Sequence, residues 1–541
     1  NPRRSGKLSH REVLAAAAGL DPLALRRCEK LAADGLLSRA VSALFPSPIA
    51  DLDNPAYLEA ASGKFPKLKE PIPILFPAAH APFDAEQVEV SLRSMKNGAS
   101  SAFAGWSKEL LRAAITADPT IAQLLADVCT RLAGFGFDDL TTRCIKCARF
   151  VGLQKPTKVT GQVDVRPICV PDILHRLTSS MSVTGSKIRL PDWQLGVSAS
   201  RGCETAINHI RDGLAAGHSA IAIDIENAHN EVTRASIACE LERIGPDAAP
   251  LSAFFNFAYT NAVDVIASTN SGKNVRISME EGTRQGCNAA STGFCLPFGR
   301  ALNAAMAENA ISRLVAIQDD ATGIDPDADK LLSFVVAAMK ELANIGLRIN
   351  RSKTKLAHNG PLPAAVAAKA AELGIAVVDT ATTAQPIVIL GSPFGPRAAR
   401  DSFAAGIVES TSAVLRYANF LRPQLAYSVV RLCAHTKLRY LCATTPSINT
   451  FGFDDAMRGA FLRIVGSTDV PQHLLESTIG AGLPSYRALA PLLFAECRQR
   501  FESAQMGGTA PNNVDTATQR HEAALKTTHP ELCDSYSRRL P

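Results

Sequence analysis

Two apolar runs of strand length end on carboxylates, and nothing else in this chain constrains its fold as tightly. Ala-Ile-Ala-Ile (220–223) runs into Asp224, and Leu-Val-Ala-Ile-Gln (314–318) runs into Asp319-Asp320. Ile221 and Ile223, then Leu314, Val315 and Ile317, read as strands buried on both faces. An uncompensated carboxylate at the end of such a strand is costly, so the acids are expected to converge on something that offsets them. Acids from two strands can hold two divalent cations about 4 Å apart, a clamp for the attacking and leaving oxygens of an in-line phosphoryl transfer. Mg²⁺ suits such a site because it takes a few carboxylates and leaves room for substrate phosphates. Outside this context an Asp-Asp pair reads as a solvated turn.

The residues around the acids carry a family resemblance. Asp-Ile-Glu-Asn-Ala-His-Asn (224–230) resembles motif A of the reverse transcriptases of non-LTR, LINE-like retrotransposons, and Gly-Thr-Arg-Gln-Gly-Cys (282–287) resembles their motif B. Ile-Gln-Asp-Asp (317–320) stands where the family has Tyr-Ala-Asp-Asp. Gly-Leu-Arg-Ile-Asn-Arg-Ser-Lys-Thr-Lys (346–355) is similar to motif D and Leu-Gly-Ser-Pro-Phe-Gly (390–395) to motif E. Leu-Gln-Lys-Pro (153–156), Val-Arg-Pro-Ile (165–168) and Ala104-Gly105-Trp106 resemble motifs of the fingers. Arg27 to Ala40 resembles the N-terminal extension of some of these polymerases, and 432–441 and 479–491 resemble their thumb. No single match is specific; their order and separations are.

The resemblance implies an α/β (α+β) right-hand polymerase: fingers, a palm built on an antiparallel sheet, and a helical thumb. It places an N-terminal extension and Pro-rich connector at 1–82, fingers at 83–215, palm at 216–395, and thumb and C-terminal region at 396–541. It implies that Asp224, Asp319 and Asp320 are the metal ligands, with two Mg²⁺ as cofactor and Mn²⁺ as a substitute. Lys155 and Arg166 would cradle the incoming triphosphate, Arg as a bidentate phosphate binder and Lys as a point charge. Gln285 and Gly286 would sit beneath the nascent base pair, where glycine permits close backbone approach. Lys353 would act as general acid toward the pyrophosphate leaving group. Implied partners are an RNA template, a DNA or RNA primer and dNTPs, with a larger ribonucleoprotein as a further one. A retroelement enzyme implies a nuclear location; mitochondria or another ribonucleoprotein compartment are alternatives.

Two departures from the family pattern touch the nucleotide and primer surfaces. The bulky aromatic five residues after the first Asp, which blocks a ribose 2′-hydroxyl, is His229, and Tyr-Ala is Ile317-Gln318. They keep a second reading open, a domesticated polymerase fold serving as an RNA-binding scaffold. An intron-encoded maturase shares the palm but matches the extension and thumb less well. The zinc fingers and the endonuclease with its Cys/His knuckle that often flank such polymerases are not seen. The chain therefore reads as the polymerase region without the endonuclease, either a fragment or a polymerase that stands alone.

Composition narrows the alternatives. The 541 residues suffice for several subdomains and a sizeable core. No apolar run approaches the ~18–20 residues of a bilayer span, and no membrane partner is expected. Net charge is +6, but it is unevenly spread: 140–190 holds nine Lys or Arg against Asp164 and Asp172, and 396–440 holds seven against Asp401 and Glu409. Such stretches suit sequence-independent phosphate contact, although ordinary solvated surface has the same composition. The 13 cysteines are scattered, many in apolar contexts, as in a reduced compartment. Cys144-x-x-Cys147 lacks a second pair and does not read as a zinc site.

The periodicity predicts helices within 1–45, an irregular Pro-rich stretch from 45 to 82, a helix over 234–244 capped by Thr233 and stopped at Gly245, and a helix over 328–344. Arg3, Arg4, Lys7 and Arg11 read as a basic lead into the first helix rather than a targeting remnant. The Ala-rich stretch 361–384 reads as a surface insertion.

Overall fold

A computed structural model describes residues 8–505 except 77–78, 135–136, 158–161, 198 and 478–479. Arg3, Arg4, Lys7 and the C-terminal end of the 396–541 region lie outside the described residues. Eleven strands form among them: β1 (Ala148–Lys155), β2 (Asp164–Pro171), β3 (Ser219–Ile223), β4 (Val263–Ser268), β5 (Asn274–Met279), β6 (Arg313–Ile317), β7 (Asp320–Asp325), β8 (Lys355–His358), β9 (Ala376–Asp379), β10 (Ile387–Ile389) and β11 (Ser392–Phe394).

The central sheet has the order β6-β7-β3-β8-β9. Its strands are antiparallel except for β9, which runs parallel to β8. Alternation of side chains across a strand divides β3 between two cores. Ile221 and Ile223 join Phe254, Phe294, Phe298, Leu331 and Phe334 on one face, and Ala220 joins Ile207, Ile210, Val315 and Ile324 on the other. Burial on both faces is why these strands carry unbroken apolar runs. Helices Asn288–Glu308 and Ala328–Ala343 cover the first face and Gly202–Ala215 the second.

A second sheet, β2-β1-β4-β5, is held by the antiparallel β1–β2 hairpin and a short parallel pairing of β1 with β4. From β11 onward the described chain is helical, with Arg397–Ala418, Phe451–Val465 and Tyr486–Gln505 the longest elements. The whole is a mixed α/β palm-and-fingers arrangement with helices beyond the palm.

Several local expectations are met. Thr233 caps Arg234–Ile244 by accepting from the Ser236 N–H, and Gly245 ends that helix with a positive φ of 71°. Helix Ala328–Ala343 forms where the periodicity put it, and His10–Ala17, Pro22–Ala33 and Leu37–Leu44 make the described part of 1–45, from residue 8 on, largely helical.

Two expectations need correction. The Ala-rich stretch is mostly exposed, as a surface insertion would be, but it is also built into the fold: helix Ala364–Glu372 buries Ala370 in the main core, and β9 extends the central sheet. Small side chains allow that helix to lie close to its neighbours, a property that composition alone reads as exposure. The Pro-rich stretch is not wholly irregular, because Pro55 opens helix Pro55–Ser62 at its first turn, where a missing N–H costs nothing. The three N-terminal helices pack on the distal helices: Ala15, Leu25, Cys28, Ala40 and Leu44 share a core with Val414, Leu415, Val429 and Phe453.

Candidate active site

Asp224 leaves the end of β3 at the edge of a cleft of about 580 Å³, and the loop bearing motif-D-like residues closes over the same strand end. The Asn350 N–H donates to the Asp224 carbonyl at 2.8 Å and the Glu226 N–H to the Arg348 carbonyl at 2.9 Å. Asp319 reaches the cleft from the two-residue turn Gln318-Asp319, which joins β6 to β7 where Ile317 pairs with Asp320. Lys155, Arg166, His229, Gln285 and Lys353 line the same cleft. Seven of the nine residues singled out from the sequence are thus brought together, from segments nearly 200 positions apart. Asp320 and Gly286 do not line it. Gly286, at φ 91°, instead lies against β2: a Cβ there would stand 2.6 Å from the Cys169 carbonyl oxygen. The close approach that this glycine permits is therefore to the sheet β2-β1-β4-β5.

The acids load the cleft with negative charge. Burial raises the Asp224 pKa, the Lys353 ammonium opposes it, and the Asp319 charge adds to it. Lys353 Nζ stands 3.9 Å from Asp224 Oδ2. Asp320 is exposed by area. Its carboxyl is still pushed up to about 6, by burial first and then by the charges of Asp319 and Asp224.

These are hard oxygen donors whose mutual repulsion a cation would relieve, so the donor set fits Mg²⁺. Among the described residues no group of three or more His, Cys, Asp or Glu side chains forms a ready metal cage. An ion with one or two protein carboxylates, completed by substrate phosphates and water, is the mode in which Mg²⁺ is usually bound.

The cations expected to meet a triphosphate have partners here. Lys155 Nζ lies 3.5 Å from Asp164 across the β1–β2 hairpin, and Lys64 Nζ lies 2.6 Å from the other oxygen of the same carboxylate. Burial raises the Asp164 pKa, but these two ammonium groups and the Val165 N–H outweigh it and leave it lowered. Anionic ligands in the cleft would draw on the same two lysines. Arg166 is exposed on β2.

His229 is held between two loops. Nδ1 meets Thr283 Oγ1 at 3.2 Å, Nε2 meets Gln318 Oε1 at 3.1 Å, and the ring packs on Phe294 with centroids 4.7 Å apart. The two departures from the family pattern, His229 and Gln318, are therefore each other's hydrogen-bond partners.

Sequence reading missed several residues. Gln194, 4% exposed, bonds the backbone of Gln318, and its only sequence signal is a Gln-x-Gly between two helical runs. Arg234 is fully buried and donates to the carbonyls of Gly282, Tyr259, Asn261 and Met279, which ties the motif-B-like loop to its neighbours. Arg284, also fully buried, has no hydrogen-bond partner for any guanidinium nitrogen among the described residues, and neither ring nitrogen of buried His175 has one. Burial, followed by the charges of Arg284 and Arg234, lowers Lys146 to about 8. Lys146 is buried, so the basic stretch 140–190 is only partly a surface. In 396–440, Arg397 pairs with Asp401 and Arg422 with Glu29 of the N-terminal helices.

Residues 153–394 match the family model of reverse transcriptase (RNA-dependent DNA polymerase). The matched span runs from within β1 to the last residue of β11 and contains every residue lining the cleft except Gly63 and Lys64. No curated protein matches the chain significantly. Among the described residues no helix is long and apolar enough to cross a membrane.

Proposed function

We propose that this chain is an RNA-directed DNA polymerase of the non-LTR retrotransposon kind, extending a primer 3′-hydroxyl with dNTPs on an RNA template. The observation that carries this reading is the convergence of Asp224 and Asp319 with Lys155, Arg166, His229, Gln285 and Lys353 on one cleft, inside a span that matches reverse transcriptases. Two Mg²⁺ ions bound by Asp224 and Asp319, with Asp320 in support, would supply Lewis-acid stabilisation of the attacking and leaving oxygens; Mn²⁺ would substitute.

In this reading Lys155 and Arg166 take the triphosphate, and Asp164 releases Lys155 as the phosphates arrive. His229 bounds the sugar, and Gln285 approaches the nascent base pair. Lys353 stands close enough to Asp224 to bring a proton to the pyrophosphate leaving group. A nuclear location and membership of a larger ribonucleoprotein belong to the same proposal.

Primer extension on an RNA template with Mg²⁺ and dNTPs tests it, with Asp224→Asn and Asp319→Asn as controls. Each substitution keeps size and removes the charge that a metal needs. Synthesis should be lost in both variants while affinity for an RNA–DNA hybrid is retained. Near-normal synthesis by either variant would overturn the metal assignment. Wild-type protein that binds hybrid but synthesises nothing with any metal or template would instead support the RNA-binding scaffold.

A further inference from the structure

The turn that carries Asp319 has an unusual backbone and an unusual support. Gln318 adopts a left-handed conformation, φ 57°, which a non-glycine residue holds only when its surroundings compensate the strain. The compensation comes from Gln194. Its side-chain Nε2 donates to the Gln318 carbonyl at 3.0 Å, while its Oε1 accepts the Gln318 N–H at 2.8 Å and the Gly196 N–H at 3.2 Å. One buried side-chain amide therefore satisfies both backbone polar groups of the strained residue and pins its own loop in the same act.

The segment around Gln194 is fixed independently. The Ala316 N–H donates to the Trp193 carbonyl at 2.8 Å, and the Leu195 N–H donates to the Ala316 carbonyl at 2.7 Å, so 193–195 lies along the free edge of β6. Trp193 Nε1 donates to Asn303 Oδ1 at 2.9 Å, anchoring the segment to helix Asn288–Glu308. At Gly196 an added Cβ would overlap the backbone nitrogen of Gln318, so the loop backbone lies directly on the turn. From the other side, His229 Nε2 meets Gln318 Oε1 at 3.1 Å.

We propose that Gln194 is a positioning residue for the acid-bearing turn: by clamping the left-handed Gln318 peptide it sets where Asp319 and Asp320 stand relative to Asp224, and hence how well the site takes a divalent cation. The proposal rests on the polymerase reading for its consequence in synthesis, but not for its consequence in cation binding. A structural role alone would lower stability without changing the cation requirement.

The test compares full-length wild type, Gln194→Met and Gly196→Ala. Methionine keeps the volume and removes all three hydrogen bonds, while the alanine pushes on the same turn from a different residue. Mn²⁺ binding is measured by electron paramagnetic resonance, and primer extension is titrated with Mg²⁺ on protein shown to be folded. Both variants should weaken Mn²⁺ binding and raise the half-saturating Mg²⁺ concentration by about tenfold, the ratio supported by loss of one well-formed buried hydrogen bond. The KM for dNTP at saturating Mg²⁺ and the affinity for hybrid should stay near wild type.

Unchanged Mn²⁺ binding in folded Gln194→Met overturns the proposal, as does activity that falls only in proportion to folded protein. If wild type binds Mn²⁺ but makes no DNA, the polymerase reading fails, and the Mn²⁺ comparison still decides the role of Gln194. Wild type that binds no Mn²⁺ overturns both.

Discussion

Replacing Asp320 with Asn is expected to stabilise the metal-free protein at neutral pH. In the folded chain burial, then Asp319 and Asp224, push the Asp320 carboxyl from 3.8 up to about 6. A raised carboxyl pKa means that the folded chain holds the proton more tightly than the unfolded chain does. Its favourable contribution is complete below about pH 3.8 and is lost as pH rises through about 6. A carboxyl raised from 3.8 to about 6 corresponds to about 3 kcal/mol at full strength. Asp320 is exposed by area, and solvent screening brings the penalty down to about 1 kcal/mol. Asparagine keeps the shape and carries no charge, so it removes that penalty.

The assay is denaturation followed at about pH 7.5 and about pH 4.5, with and without Mg²⁺, on wild type and Asp320→Asn. At the higher pH the variant's midpoint should rise by about 1–2 °C, since one kcal/mol moves a chain of this size by less than it moves a small domain. The gain should shrink at the lower pH, where wild-type Asp320 is itself protonated. Mg²⁺ should stabilise wild type more than the variant, because the ion relieves a repulsion that the variant has already lost. A variant less stable than wild type at neutral pH, or equally shifted at both pH values, would refute the crowding of these acids.

Three further outcomes are expected. Affinity for an RNA–DNA hybrid should fall by about 10²-fold between roughly 50 and 200 mM salt, as expected for about four phosphate contacts; a flat binding profile would return the basic stretches to ordinary surface. His229→Ala should raise ribonucleotide incorporation by about tenfold and His229→Phe should lower it, the scale on which pocket fit discriminates substrates; identical dNTP and rNTP rates in all three proteins would place His229 away from the sugar. Arg284→Met should leave the denaturation midpoint unchanged or raise it, because the buried guanidinium has no hydrogen-bond partner among the described residues, whereas Arg234→Met should cost about 3–5 kcal/mol by orphaning the buried carbonyls of Gly282, Tyr259 and Met279. Equal losses in the two variants would show that Arg284 is compensated.

Much of the site was legible along the chain because its chemistry is written locally. A strand buried on both faces must be apolar throughout, so an acid that ends one stands out, and Asp224 and Asp319 stand out on that ground alone. Caps and stops at Thr233 and Gly245 are likewise short-range. What the local pattern could not carry is who meets whom. Ala-rich 361–384 has the composition of a surface and yet supplies β9 and a helix that sinks Ala370 into the main core, because only the β8 edge shows that a parallel partner is wanted. Lys146 sits in a run of surface cations and is itself buried, and Lys155 finds Asp164 only through the register of β1 with β2. Gln194 carries no signal beyond a Gln-x-Gly; its role arises because tertiary folding lays 193–196 against a residue left strained by a two-residue turn. Periodicity and motif spacing report contacts within a few residues, while strand edges, orphaned donors and strained peptides acquire partners only when distant segments arrive, and that is where the tertiary structure decided the site.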